Sequence, residues 1–204
     1  MIEDIFGVDS GRHRVIADIF ASNGYNVFLP EFLDPIYDGP AEMGPIVGNI
    51  KSQNNENMDI KFAKVLGHIK SSVGVEKMLS IGFCWGTWYA FKMSVKHDCF
   101  TAIAGPHPSL GVEGIHGGNP LTLAEQVKCP AYLLPAGNDP DDVKEKGAIV
   151  EAISKKFGNE LTGTVHFPDM VHGWTTRGDL NDEKTSRDFH KALNLMQEYL
   201  AKFK

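Results

Sequence analysis

Cysteine is scarce in this 204-residue chain. Only Cys84, Cys99 and Cys129 are present, and no two have CxxC spacing. An odd, unpaired set argues against a disulfide framework and against a cysteine metal or redox site, and it suits a reduced, intracellular protein. Long hydrophobic runs are lacking too. None approaches the roughly 18–20 residues that cross a bilayer, so no membrane partner is expected. The first residues show no charged-then-apolar leader pattern. From these absences the expected compartment is the cytoplasm. Cationic charge is also short, with 20 Lys and Arg against 26 Asp and Glu and a formal net charge of −6. Phosphate backbones need clustered Lys and Arg, so no nucleic-acid partner is expected. There is no internal repeat and no low-complexity block.

What remains is ordinary globular composition, 42% hydrophobic and 23% charged. That suits one domain over residues 1–204 with a sizeable core. Short apolar runs at Asn26–Leu29, Lys77–Ile81, Phe100–Ala104, Ala131–Pro135 and Thr162–Phe167 each end in Gly, Pro or a polar turn, as buried strands do. Amphipathic stretches lie between them, at Arg12–Asn23, Met58–Ser72, Asp141–Phe157 and along Phe189, Leu193, Met196 and Leu200. The last four step by three or four residues, the period of one helix face. Strands alternating with helices predict an α/β fold, a mainly parallel central sheet flanked by helices. Tyr37–Asn57 holds Asp38-Gly39-Pro40, Gly44-Pro45 and Ser52-Gln53-Asn54-Asn55. Breakers at this density predict a long loop, a lid or a contact surface.

In parallel sheets the reactive groups sit in the loops after the carboxyl ends of strands. One such loop stands out. Lys77–Ile81 reads as a strand and Thr87–His97 as a helix, with Gly82-Phe83-Cys84-Trp85-Gly86 between them. G-x-C-x-G at a strand-to-helix turn is the pattern of a nucleophile elbow. Its strained backbone leaves no room for flanking side chains, and it exposes the central residue at a helix N-terminus. The helix dipole there favours a thiolate. Most cysteines are inert core residues. That reading is kept for Cys99 and Cys129 and set aside for Cys84.

A thiol nucleophile needs a base, and the base needs an orienting group. In α/β-hydrolases the chain order is nucleophile, acid, histidine. Gly137-Asn138-Asp139 follows one strand and Met170-Val171-His172-Gly173 follows another, in that order. The competitors fit less well. Asp141 and Asp142 look like first-turn charges of the next helix. His166 lies within a strand. His107 follows a strand but precedes the acid, which suits a residue lining the site better than the base.

With those residues in hand, the chain resembles the dienelactone hydrolases, or carboxymethylenebutenolidase-like proteins, of the α/β-hydrolase superfamily. The resemblance rests on Asp4-Ile5-Phe6-Gly7, Asn23-Gly24-Tyr25 with Leu29-Pro30, Gly82–Gly86, His107-Pro108-Ser109, Gly137-Asn138-Asp139 and His172-Gly173-Trp174 with Arg177-Gly178-Asp179. It implies a Cys84–His172–Asp139 triad that cleaves a small lactone or ester with no metal and no cofactor. It also implies an oxyanion hole from the backbone N–H groups of Ile5 and Trp85, and Asp4 as an acid touching the resting thiol. Arg177 and His107 fall at substrate-binding positions, Arg177 toward a carboxylate. Family members usually carry about two strands ahead of Asp4, so an N-terminal sheet edge is expected to be open, for a protein partner or a second copy to cover. Two rival readings follow from the same residues. One is a weakly active or inactive member serving as a binding or structural component. The other is a redox-sensing thiol at Cys84.

Overall fold

The structure is a computed structural model that describes all residues, Met1–Lys204. Four strands form one parallel sheet in the order β1 (Met78–Ile81), β2 (Phe100–Pro106), β3 (Ala131–Leu134) and β4 (Gly163–Thr164). Each connection crosses back through helix, as parallel pairing requires. Helix α4 (Trp85–Lys96) links β1 to β2, α5 (Val112–Ile115) and α6 (Pro120–Gln126) link β2 to β3, and α7 (Ala148–Phe157) links β3 to β4. Ahead of the sheet come α1 (His13–Ser22), α2 (Met43–Ser52) and α3 (Asn55–Val73), and behind it α8 (Trp174–Arg177) and α9 (Glu183–Ala201).

Local chemistry sets the helix ends. The Asn54 side chain accepts from the N–H groups of Glu56 and Asn57, and Gly74 closes α3 at φ 70°, where a Cβ would be strained. The Asp182 side chain likewise caps α9 by accepting from the Thr185 N–H. The sheet then buries both faces. On one side Trp85, Trp88, Phe91, Leu123 and Ile153 pack together. On the other, Ile16 and Phe20 of α1 and Phe189, Met196 and Leu200 of α9 cover Ile81, Ala102 and Leu134. This is the helix–sheet–helix layering read from the alternation of patterns.

Several boundaries differ from the sequence expectation, each for a physical reason. Asn26–Leu29 is extended but forms no strand; the Met1 amino group donates to the Phe28 carbonyl at 2.5 Å. Alternation describes which way side chains point, whereas a strand also needs a paired neighbour. Thr162–Phe167 keeps only Gly163–Thr164 as strand, plus an isolated bridge from Phe167 to Ala136. The stretch Asp141–Phe157 breaks into a 3-10 turn at Asp141–Val143 and α7, because Lys146 sits at φ 62° and Gly147 lies against the Asp141 and Asp142 carbonyls. The Tyr37–Asn57 stretch is not one long loop, since it contains α2. Pro45 is tolerated there because it falls in the first helical turn, where an N–H has no intrahelical acceptor anyway.

Beyond an isolated bridge between Ile2 and Gly82, the outer edge of β1 has no partner strand. It borders a cavity of about 390 Å³ lined by Phe20, Val27, Phe62, Val65 and Phe100, among others. Residues 1–3 reach across the top of this space. The Ile2 N–H donates to the Ile81 carbonyl, the Phe83 N–H donates to the Ile2 carbonyl, and Glu3 Oε1 accepts from the N–H groups of Phe32 (2.7 Å) and Leu33 (3.1 Å).

Glu3 is fully buried and its second oxygen, Oε2, has no hydrogen-bond partner. Burial pushes its carboxyl up to about 7 from an ordinary 4.5, against the pull of the two backbone donors. Between those values the folded chain holds a proton that the unfolded chain releases, so stability falls as pH rises from about 4.5 to 7 and stays lower above that. Thermal unfolding followed from pH 4.5 to 8 should show this fall, worth at most about 3 kcal/mol. Glu3→Gln should flatten it, and an unchanged slope in that variant would refute the assignment.

Candidate active site

The candidate residues gather at the carboxyl ends of β1 to β4. Cys84 leaves β1 at φ 53°, ψ −114°, a conformation rare for a residue with a side chain. The glycines on either side explain how it is reached. A Cβ on Gly82 would meet the Gly86 carbonyl, and a Cβ on Gly86 would meet the Ile2 and Glu3 carbonyls at 2.6 and 2.5 Å. Thr87, just inside α4, finds its space over Gly105, where a Cβ would lie 2.6 Å from its methyl. The Thr87 hydroxyl donates to the Gly82 carbonyl at 2.5 Å and ties the turn shut. Trp85 and Trp88 are fully buried: Trp85 stacks on Tyr89, and Trp88 Nε1 donates to Glu113 Oε2 at 2.7 Å. Both belong to the core and neither narrows an entrance.

Asp139 and His172 arrive on neighbouring loops that interlock. The Gly137 N–H donates to the Met170 carbonyl, and a Cβ at Gly137 would strike the Pro168 carbonyl. Asn138 Oδ1 accepts from the His172 N–H at 2.7 Å. Asp139 is buried, and its Oδ2 accepts from the Ala136 N–H at 2.7 Å. Its Oδ1 lies 2.5 Å from His172 Nδ1. That bond leaves Nε2 as the nitrogen turned toward the thiol side. Ser109 Oγ reaches both groups, 3.3 Å from Cys84 Sγ and 3.4 Å from His172 Nε2.

The electrostatics follow. Burial opposes ionisation of Cys84, but the His172 charge and hydrogen bond, with help from Ser109, outweigh it and bring the thiol below its ordinary value. Burial likewise opposes the charged imidazole of His172, and the Cys84 thiolate with Asp139 overrides it, raising His172 to about 10. Each group thus favours the charged form of the other. Cys99 and Cys129 are also free and buried, and burial without such a partner pushes them up to about 11 and 12.

Three candidates sit differently from what the sequence suggested. Asp4 makes no hydrogen bond to Cys84. It is fully buried, its Oδ1 accepts from the Phe6 N–H and the Ser10 hydroxyl, and its Oδ2 accepts from the Thr176 hydroxyl and the Arg177 guanidinium. A shorter acid held by four donors stays with them. Arg177 is thus already paired with a carboxylate, and its guanidinium lies 4.3 Å over the Phe6 ring. His107 is completely buried at φ 38°, with Nε2 2.6 Å from Thr175 Oγ1 and its ring edge-on to His172 at 5.1 Å. Burial first, then the neighbouring cations, hold it neutral. It packs behind His172, with no exposed surface of its own. The N–H groups of Ile5 and Trp85 donate to no backbone carbonyl. Trp85 is the first residue of α4, where a helix has an unused donor. Sequence reasoning missed Ser109 and Asn138. Ser109 lay within the strand-end segment His107-Pro108-Ser109, but a serine after a proline carries no mark of its own. No three His, Cys, Asp or Glu side chains gather in a way that could hold a metal ion.

Residues 1–200 match the model of the dienelactone hydrolase family. The chain belongs to that family. It is 30% identical over 183 residues to the carboxymethylenebutenolidase homolog of Rattus norvegicus, across 81% of this chain and 69% of the relative. Against the human homolog the match is 29% over 105 residues, half of this chain and 42% of that protein, so the matched part spans less than half of the human relative. Hydrolase pyvD of Aspergillus violaceofuscus is 23% identical across 98% of this chain and 80% of its own length. Among solved structures, a Klebsiella pneumoniae protein assigned as a dienelactone hydrolase superposes with a TM-score of 0.68 at 18% identity, covering 95% of this chain and 83% of that one. The shared architecture is the α/β-hydrolase fold. No helix is long and apolar enough to cross a membrane.

The thiol environments generate a direct test. Iodoacetamide at pH 7 should label Cys84 in preference to Cys99 and Cys129 by at least about tenfold, since the thiolate is the reacting species. Dilute hydrogen peroxide should follow the same order, which bears on the redox-sensing reading. Peptide mapping by mass spectrometry reads both, and equal labelling of the three would overturn the lowering of the Cys84 thiol by His172.

Proposed function

We propose that the chain hydrolyses a small ester or lactone through Cys84, His172 and Asp139. The observation that carries this reading is the 2.5 Å bond from Asp139 to His172 Nδ1, which turns Nε2 toward the thiol of the strained elbow. In the proposed cycle the Cys84 thiolate attacks the substrate carbonyl carbon. The carbonyl oxygen gains the charge and is held by the N–H groups of Ile5 and Trp85. Donors of this kind lower the barrier by about 3–4 kcal/mol each. The carbon–oxygen bond to the leaving alkoxide breaks, and His172 Nε2 gives that oxygen its proton. Water then attacks the thioester while His172 takes a proton from it, and the acid product leaves with the thiolate restored. Asp139 keeps the imidazole in one orientation and favours its charged form throughout. Every group required belongs to the chain, so the proposal includes no metal and no cofactor. Arg177 could meet an acidic substrate only through the N–H groups that Asp4 leaves free.

A second reading has its own support in the unpaired edge of β1 and the apolar cavity beside it. Exposed edges are templates for pairing with another chain. In that reading the chain serves as a weakly active component of an assembly, with a second protein laid along the edge. Native mass spectrometry that finds only monomer in extracts and at micromolar concentration would remove it, and leaves the hydrolase reading untouched.

For the hydrolase reading the substrate is p-nitrophenyl acetate and the readout is release of p-nitrophenolate. Cys84→Ala should abolish turnover while far-UV circular dichroism stays unchanged. Asp139→Asn should lower kcat by roughly a hundredfold or more, the scale of a misoriented base. Activity retained in the folded Cys84→Ala protein would sink the proposal.

A further inference from the structure

The loop that leaves β2 is built to place one hydroxyl. The Cys84 N–H donates to the Pro106 carbonyl and the Ser109 N–H donates back to the Cys84 carbonyl at 3.1 Å, so the elbow and this loop are stitched together on both sides. Between those bonds the chain turns through His107 at φ 38°, anchored by its N–H on the Leu134 carbonyl and its ring on Thr175. Pro108 has a fixed φ. The Ser109 carbonyl accepts from the Val112 N–H at the start of α5. With the backbone held at each step, Ser109 Oγ lies 3.3 Å from Cys84 Sγ and 3.4 Å from His172 Nε2.

A hydroxyl is one donor and two acceptor sites. At this position it can donate to one neighbour while accepting from the other, in either sense. We propose that Ser109 is a fourth catalytic residue, which touches the reacting sulfur and relays the proton between Cys84 and His172. The proposal rests on the hydrolase reading of the same site for its role in turnover, though not for its effect on the thiol. In the neutral arrangement the Cys84 S–H donates to Ser109 Oγ, and the Ser109 O–H donates to His172 Nε2. In the charged arrangement His172 Nε2–H donates to Ser109 Oγ, and the Ser109 O–H donates to the thiolate. Going from the first to the second, the S–H bond breaks as a new O–H bond forms, and the old O–H bond breaks as an N–H bond forms. One proton leaves sulfur, one arrives at nitrogen, and serine ends as it began. The charged arrangement gives the thiolate a hydrogen-bond donor in the free enzyme. That donor lowers the pH at which the thiolate appears, a contribution additional to that of His172.

The relay has a second consequence. Ser109 Oγ lies within hydrogen-bond reach of both Sγ and Nε2, near where the oxygen of a leaving alkoxide or of the attacking water must come to exchange a proton with Nε2. The hydroxyl therefore stands in for that oxygen until substrate arrives, and holds His172 in the orientation that substrate needs.

The test reads the thiol first and turnover second. The rate of iodoacetamide alkylation of Cys84 is measured against pH in the wild type and in Ser109→Ala, with folding checked by far-UV circular dichroism. The midpoint should move up by about one unit in Ser109→Ala, the scale expected when a thiolate loses a hydrogen-bond donor. Ser109→Thr, which keeps the hydroxyl, should restore the midpoint to within a few tenths of the wild-type value. Should the alanine variant fail to fold, Ser109→Val against Ser109→Thr makes the same comparison at matched shape. On p-nitrophenyl acetate, kcat/KM at pH 6.5 should fall at least about fivefold without the hydroxyl, with most of the loss in kcat. The loss should shrink as pH approaches 9, where the thiolate forms unaided. Hydroxyl-free variants with a wild-type alkylation midpoint would overturn the proposal. Because alkylation needs no turnover, that result is distinct from failure of the hydrolase reading, which shows as activity surviving Cys84→Ala.

Discussion

The backbone at Cys84 is the constraint on which the site depends. A residue with a side chain held at φ 53° is strained, and the surrounding chain must over-determine it. Here three separate pieces do so. Gly82 and Gly86 bring backbone to within a distance that no Cβ permits, Thr87 closes the turn by its hydroxyl, and residues 1–3 press against Gly86 from the N-terminal side. The sulfur is thereby placed above the carboxyl end of the sheet at a helix N-terminus. Asp139 and His172 need only follow from later strands, and the parallel pairing of β3 with β4, extended by the Ala136–Phe167 bridge, brings their loops side by side. Geometry at one residue thus decides what the loops from two other strands can do.

Charge placement shows the same economy of partners. The site holds two carboxylates, Asp4 and Asp139, near the Cys84 thiol and the His172 imidazole. Asp139 has a single histidine contact, and its other oxygen accepts from the Ala136 N–H of its own turn. Asp4 is neutralised by Arg177 and held by Ser10, Thr176 and Phe6, so its charge is tied down beside the site. A buried carboxylate close to a thiolate would repel it, and the Arg177 pair offsets that repulsion. The consequence for specificity is that Arg177 serves first as a counter-charge within the protein. Its availability to a substrate is limited to what that duty leaves.

Much of this was readable from the chain alone, and the reasons are physical. Gly82-Phe83-Cys84-Trp85-Gly86 is legible because the strain that makes a nucleophile elbow can be met only by glycine at its flanks. Asp139 and His172 are legible because strand ends are the places where loops can reach one another. Ser109 was not legible, since its meaning lies in two distances of 3.3 and 3.4 Å, and no local pattern marks a serine that falls between two other loops. The partners of Asp4 were hidden for the same reason: Arg177 and Thr176 come from the far end of the chain. Asn26–Leu29 has the composition of a strand, yet pairing is a property of neighbours and not of a segment. The helix α2 was masked by Gly44-Pro45, which reads as a breaker until its place in the first turn is known.

The bridge between Ile2 and Gly82 has a kinetic meaning as well. Contacts between β1 and β2, or β2 and β3, join neighbouring segments and close modest loops. The Ile2–Gly82 contact closes a loop over a large part of the chain, and loop closure is an entropic barrier that has to be crossed before the contact contributes anything. The brace on Gly86 therefore carries a larger closure cost than the strand pairings, and the strain at Cys84 depends on that cost being met.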